Sequence, residues 1–434
     1  MMDTLEELES NVRSYCRKFP TVFVSANNAV MSDNVGRDYI DFLCGAGALN
    51  YGHNNEKIKE ALIAYLNSNA IVHSLDLHTA AKRQFLERFD QVILRPRGYR
   101  YKVQFPGPTG TNAVEAAIKL ARKVTQRAPV VAFTNAFHGM SLGSLALTAR
   151  AQKRASAGTV LPNVVRMPFD GFFGRDVDTL DYIGPLLFGQ GCGNDKPAAF
   201  IVETLQGEGG LNVASDEWLV GLSKLAREHN IPLIIDDIQA GCGRTGKFFS
   251  FERAKIEPDI ICLSKSIGGY GLPMSLVLIR PDLDIWEPGE HNGTFRGNNL
   301  AFVAACKALD FWADGLFEER IARNTELLSA GLQSIVRWRP EGGPQVRGLG
   351  LMQGIAWCAD HVAEAVSAQA FDMGVIAEVC GPGNRVLKVM PPLTIGPELL
   401  TEGLRRLATA VQLVISRSHS IPKKDGRELA VAAE

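Results

Sequence analysis

Five short stretches carry residues whose types and spacing could do chemistry together. Lys265 follows the apolar run Ile260-Ile261-Cys262-Leu263, lies between Ser264 and Ser266, and precedes the glycine-rich IGGYG. A lysine there either reaches solvent past the end of a strand or is desolvated and used as a nucleophilic, carbonyl-capturing amine. Asp236 and Asp237 end a second apolar run, with Gln239 three residues beyond Asp236. A carboxylate at such a place is costly to bury unless a cation or hydrogen-bond donors meet it. Paired aspartates also suit Mg²⁺, but no third carboxylate of suitable placement accompanies them, and no metal is expected. Thr109-Gly110-Thr111 opens a helical pattern, so free N–H groups and hydroxyls there can receive an anion. Neither GxGxxG nor GxxxxGK[ST] is present. Phe137 and His138 follow a third apolar run; the ring could stack on something flat or simply pack in a core. Glu203 ends a fourth run, and Glu208 lies among glycines in GEGG. Each of these features has an ordinary structural reading when taken alone.

The elements that must position them alternate. Short apolar runs at 129–135, 163–169, 197–203, 231–236 and 258–264 read as strands. Segments such as 112–126 and 215–230 have helical spacing, the second with Ser215 as cap and Asp216 and Glu217 in its first turn. Continuous apolar strands alternating with helices predict an α/β fold with a mostly parallel sheet covered on both faces. In such sheets ligands sit at the carboxyl ends of the strands, which is where the five stretches fall. Outside this region the pattern changes. A strand is expected at 37–43, and strands of a separate sheet at 346–357 and 384–393, with helices at 316–338, 360–373 and 397–416. Residues 50–312 are therefore expected to form a large domain. Residues 1–49 and 313–434 are expected to form a smaller α+β domain built from both chain ends. The polar tail from Ser418 is expected to be loose.

The chain has 434 residues, 46% of them hydrophobic, enough for a large core. A net charge of −1 offers nothing that favours nucleic acid or a charged membrane surface. No apolar run approaches the roughly 18 residues of a membrane span. The start lacks the basic and apolar blocks of a secretion signal. Eight scattered cysteines without a CxxC pair predict reduced thiols, no zinc and a cytoplasmic setting.

Together, an amine for an aldehyde, a phosphate cup, a flat clamp and an acid for a ring nitrogen describe a site for pyridoxal 5′-phosphate. The stretches FHG, GEGG, IIDDIQAGCGRTG, PDIICLSKSIGGYGLP and NGTFRGNNLA resemble the class III pyridoxal-phosphate aminotransferases, over about residues 20–415. NYGHNN, FTNAFHGMSLGSLALT, SKSIGGYGLPMSLVLI and PGEHNGTFRGNNLAF are similar to the branch of that class that interconverts diaminobutyrate and 2-oxoglutarate with their partners, known chiefly from ectoine biosynthesis. The resemblance implies the fold type I architecture, with a seven-stranded-type sheet, and a homodimer or higher homo-oligomer with shared active sites.

It also implies roles. Lys265 would hold the cofactor's aldehyde and move the substrate proton; Asp236 would pair with the ring nitrogen and Gln239 with the phenolic oxygen. Phe137 would stack on the ring, with His138 and Glu203 beside it. Gly110 and Thr111 would donate to the phosphate, and Thr294 would reach it from the neighbouring subunit. Ala46 and Asn50 would line the substrate pocket; Ala46 is small where ornithine-type members carry tyrosine. The glycines after Lys265 would leave room for the flat cofactor. Three departures bear on specificity. Asp237 stands where the class usually has glutamate. Met140 replaces an arginine that binds a distal carboxylate, while TFRGN supplies Arg296 as its expected substitute. Lys388 replaces the arginine that receives the α-carboxylate and pairs, when idle, with Glu208. The implied reaction carries an amino group from L-glutamate to L-aspartate 4-semialdehyde, giving 2-oxoglutarate and L-2,4-diaminobutyrate. The alternatives are an ω-aminotransferase acting on ornithine, GABA or lysine, or a racemase or decarboxylase of the same fold.

Overall fold

The apolar runs form the central sheet. A computed structural model describes residues 2–337 and 343–419. Its seven central strands are β1 (Lys102–Gln104), β2 (Val130–Phe133), β3 (Val164–Met167), β4 (Ala199–Val202), β5 (Leu233–Asp236), β6 (Ile260–Leu263) and β7 (Leu276–Ile279). Their order across the sheet is β1-β7-β6-β5-β4-β2-β3. Strands β2 to β6 are mutually parallel, and β7 runs antiparallel to both of its neighbours.

Alternation along the strands sorts side chains between two apolar layers. Ile234, Ile260 and Cys262 pack with Ala113, Val114, Ala117, Ile118 and Ala121 of the helix Gly110–Thr125. Leu233, Ile235, Ile261 and Leu263 face the opposite layer, with Trp218, Phe133 and Phe169. The same alternation carries past the end of β5, and it separates the two aspartates. Asp236 shares the face of Ile234, and Asp237 turns to the other side.

The helix of the second expected segment spans Asp216–Glu228, and the Ser215 hydroxyl accepts from the Trp218 N–H at 3.2 Å, as its sequence predicts. The first begins two residues earlier than its apolar pattern, at Gly110. There the Asn112 side-chain oxygen accepts from the backbone N–H and the hydroxyl of Thr109.

The chain ends build two further four-stranded sheets where one is expected. Phe23–Asn27, Val30–Asp33 and Asp38–Asp41 form the first, completed by Val375–Ile376 lying parallel to Asp38–Asp41. The second is antiparallel: Gln345–Leu349, Met352–Ala356, Val386–Val389 and Glu378–Cys380. Helices Leu316–Val336, Val362–Asp372 and Pro397–His419 flank them. The tail beyond His419 lies outside the described residues. Among the described residues no helix is long and apolar enough to cross a membrane.

Candidate active site

Four adjacent strands deliver the chemistry-bearing residues to one cavity of about 170 Å³. Lys265 follows β6, Asp236 ends β5, Glu203 follows β4, and Phe137 and His138 follow β2. Lys265 has a left-handed backbone, φ +53°, which is uncommon for a residue with a side chain and is kept only where neighbours enforce it. Both flanking serines do so. The Ser264 hydroxyl donates to the Met274 carbonyl at 2.9 Å, and the Ser266 hydroxyl donates to the Gly47 carbonyl at 2.6 Å. The lysine amine itself makes no hydrogen bond and no ion pair among the described residues. Burial lowers its pKa below the usual lysine value; the charge of Glu208 opposes this and that of Lys388 adds to it. The amine is therefore free, and easier to deprotonate than a surface lysine's.

Asp236 is buried and accepts from His138 through Nδ1 at 2.7 Å and from the Ile238 N–H at 3.2 Å. Burial acts to lower the His138 pKa, but the hydrogen bond and charge of Asp236 outweigh it, and the net direction is upward. Nε2 of His138 is buried without a partner. Glu203 accepts from the Phe137 N–H at 2.9 Å and so holds the turn that presents the ring. Burial pushes its pKa up to about 8, His138 opposing and Asp236 reinforcing. Asp237 is engaged elsewhere, accepting from the Ser250 N–H at 3.1 Å and from the Ser250 hydroxyl. The two aspartates thus diverge, and only Asp236 borders the cavity. Among the described residues no cluster of three or more metal-ligating side chains occurs.

The anion cup forms at the start of the helix Gly110–Thr125. Free N–H groups of its first turn open to the cavity, beside the Thr111 hydroxyl, which is hydrogen-bonded to Ser141 at 2.6 Å and to Ser144. A Cβ on Gly110 would stand 3.0 Å from Ile238, which lines the cavity, so glycine keeps this approach open. Lys153 lies 5.3 Å from the centroid of the Phe137 ring.

Beside Lys265, residues Cys44, Gly45, Ala46 and Gly47 all have positive φ and make a left-handed turn. The Gln239 amide donates to the Ala46 carbonyl at 3.0 Å, which brings this turn to the cavity. At the other side Glu208 accepts from Lys388 at 2.6 Å, the pairing that the sequence suggests. Burial alone would raise the Glu208 pKa, but Lys388 holds it down at about 2.

Residues 13–411 match the family described as aminotransferase class-III. The chain belongs to the class III aminotransferases. It is 57% identical over 412 residues to a diaminobutyrate–2-oxoglutarate transaminase of Streptomyces anulatus, covering 95% of this chain and 98% of the relative. It is 53% identical to the enzyme of that name from Halalkalibacterium halodurans, covering 95% and 97%. Among solved structures, an ω-aminotransferase from Paracoccus denitrificans superposes with a TM-score of 0.85 at 20% identity, covering 96% of this chain and 99% of that one.

Class III aminotransferases use pyridoxal 5′-phosphate, and this aminotransferase has the residues for it. The unpaired Lys265 amine, the glycine-lined cup, the Phe137 ring and the buried Asp236 all border one cavity. Sequence reading did not pick out Ile238, which lines the cavity and lies between the two residues it did pick out, Asp236 and Gln239. It also did not pick out the Ser141 and Ser144 hydroxyls behind Thr111.

Three placements differ from a simple lining role. Asn50 is buried, its amide donating to the Cys242 carbonyl at 2.9 Å and accepting from Arg244. Arg296 pairs with Asp76, and Thr294 is exposed; neither lines the cavity of its own chain. Among the glycines after Lys265, Gly269 has a packing constraint of its own. A Cβ on Gly269, at φ +75°, would meet the Ala304 carbonyl at 2.6 Å, so its constraint comes from the helix Asn299–Ala308.

The raised pKa of Glu203 predicts a pH effect. Folded protein keeps a proton that unfolded protein loses, so Glu203 lowers stability as pH rises from about 4.5 to about 8. Glu203→Gln is expected to flatten this fall in stability. Denaturant titrations of both proteins at several pH values check it; parallel curves would refute it.

Proposed function

We infer that this chain is a diaminobutyrate–2-oxoglutarate transaminase. In the synthetic direction it carries the amino group of L-glutamate to L-aspartate 4-semialdehyde. The observation that carries the specificity is identity of 52–57% across 95% of the chain to enzymes of that name. The geometry agrees with it: a free amine faces one end of the cavity, and an ammonium under a displaceable carboxylate lies at another.

Bound pyridoxal phosphate supplies an aldehyde that exchanges amino groups and an electron-poor ring that takes up the electrons left on the substrate carbon. The chain does the rest. The Thr111 hydroxyl and the N–H groups of the first helical turn hold the phosphate. Phe137 and Ile238, which both line the cavity, would hold the ring. Asp236 would keep a proton on the ring nitrogen, its carboxylate held in place by the His138 hydrogen bond. The Lys265 amine, with its lowered pKa, accepts and returns the substrate proton.

Lys388 receives the α-carboxylate of glutamate when Glu208 moves aside. With diaminobutyrate, whose terminal amine reacts, Glu208 stays on Lys388.

A second copy of the chain completes the site. The exposed Thr294 reaches the partner's phosphate, and Arg296 offers a guanidinium to the γ-carboxylate of glutamate and 2-oxoglutarate, in place of the arginine absent at Met140. Leu75, Leu77 and Phe295 are exposed on the same segments and would suit such a dimer face. The eight unpaired cysteines suit a reducing, cytoplasmic setting.

The direct test compares diaminobutyrate, ornithine, GABA and lysine as donors to 2-oxoglutarate, with amino-acid analysis of the products. Diaminobutyrate is expected to be the preferred donor; rates no better than those with ornithine or GABA would sink the assignment. Arg296→Ala is expected to raise the KM for both glutamate and 2-oxoglutarate about tenfold or more, the loss of one charge-assisted pair. Unchanged KM values would remove Arg296 from the site.

A further inference from the structure

Lys388 has a second carboxylate partner that the proposed reaction does not use. Glu378, on the strand Glu378–Cys380, is the direct cross-strand partner of Lys388, on Val386–Val389. The Lys388 Nζ lies 2.9 Å from Glu378 Oε1 and 2.6 Å from Glu208 Oε1.

The two acids differ in freedom. The Glu378 side chain is 3% exposed and its residue opens a strand paired in regular register with that of Lys388; that of Glu208 is 23% exposed, sits among glycines and borders the cavity. Neither Lys388 nor Glu378 borders the cavity, so Glu208 is the cover over the ammonium.

We propose that Glu378 is a positioning residue that aims the Lys388 ammonium at the incoming substrate carboxylate. The argument rests on the reading of Lys388 as the α-carboxylate site. A guanidinium presents a rigid fork that keeps its orientation; an ammonium on a four-carbon stem does not. When Glu208 leaves, a lysine without another anchor would be free to turn and, buried alone, would tend to give up its proton. Glu378 cannot leave with Glu208, because it is fixed opposite Lys388 in the sheet. It therefore keeps the ammonium charged and in place while the glutamate carboxylate takes the position of Glu208. With diaminobutyrate the Lys388–Glu208 pair stays closed, and this steering is not needed.

The test is Glu378→Gln in the cofactor-loaded enzyme, with the two half-reactions measured separately. The KM for L-glutamate and for 2-oxoglutarate is expected to rise about tenfold or more, the equivalent of one lost charge-assisted contact. The half-reaction with diaminobutyrate is expected to stay within about threefold of wild type. Adding Lys388→Arg is expected to restore much of the glutamate affinity, because a guanidinium brings its own orientation. An unchanged glutamate KM, an equal loss in both half-reactions, or a double variant no better than the single one would overturn the proposal. Lys388→Gln separates this from the reading beneath it. If that variant leaves the glutamate KM unchanged, Lys388 is not the carboxylate site. If it raises the KM while Glu378→Gln does not, only the role of Glu378 fails.

Discussion

Lys265→Ala is expected to lower transamination by about 10⁴-fold or more while the protein stays folded and still binds the cofactor's phosphate. The size follows from what the amine does. It would both exchange with the substrate amine at the cofactor's aldehyde and carry the proton between carbon atoms, and among the described residues no other lysine lines the cavity. The expectation of a folded variant follows from the surroundings. The amine has no hydrogen-bond or ion-pair partner whose charge its removal would strand. The left-handed backbone is held by Ser264 and Ser266, which the substitution leaves alone. Rapid-quench product analysis gives the rate, and borohydride reduction followed by mass spectrometry should mark Lys265 in the wild type only. Turnover within tenfold of wild type, or a mark on another residue, would sink the assignment.

Asp236→Asn is the second large effect. Asparagine keeps the shape but not the charge that holds a proton on the ring nitrogen. The cost to kcat is expected to be about 10³-fold, in the range seen when one preorganised electrostatic contact is removed. A pH signature should accompany it. His138 has a raised pKa against Asp236, so the pair's contribution to stability is fully present below the ordinary histidine pKa. It is lost as pH rises through the raised value. The melting-temperature deficit of Asp236→Asn is therefore expected to be largest near pH 6 and to shrink in alkaline buffer. A deficit independent of pH would mean that the histidine is not charged by this aspartate.

The strands and most of the cavity were legible because two rules converge at the same places. Apolar runs of four to six residues mark parallel strands, and polar residues at their carboxyl ends mark the ligand site. Lys265, Asp236, Glu203 and Phe137 satisfy both. The Lys388–Glu208 pair was legible as charge complementarity on the pattern of the class. Other features needed coordinates. Glu378 is a single acid in an apolar run, and only strand register shows that it faces Lys388. The left-handed turn at 44–47 includes Cys44 and Ala46, which carry no sequence signal for positive φ. Asn50 had the right type for a pocket but is turned inward to Cys242 and Arg244. Gly269 was readable as a glycine, but not the helix it must clear.

The chain ends meet across nearly the whole sequence. Asn28 donates to the Thr394 carbonyl at 3.0 Å, and Asp38–Asp41 waits for Val375–Ile376 as its parallel neighbour. A ribosome makes the first of these segments long before the second. The strands bearing Lys265 and Asp236, and the Gln239 and Ser266 partners of the turn at 44–47, are made before the ammonium of Lys388, which follows only when nearly nine tenths of the chain has been synthesised. Newly made protein thus acquires the means to trap an aldehyde before it acquires the means to choose between substrates.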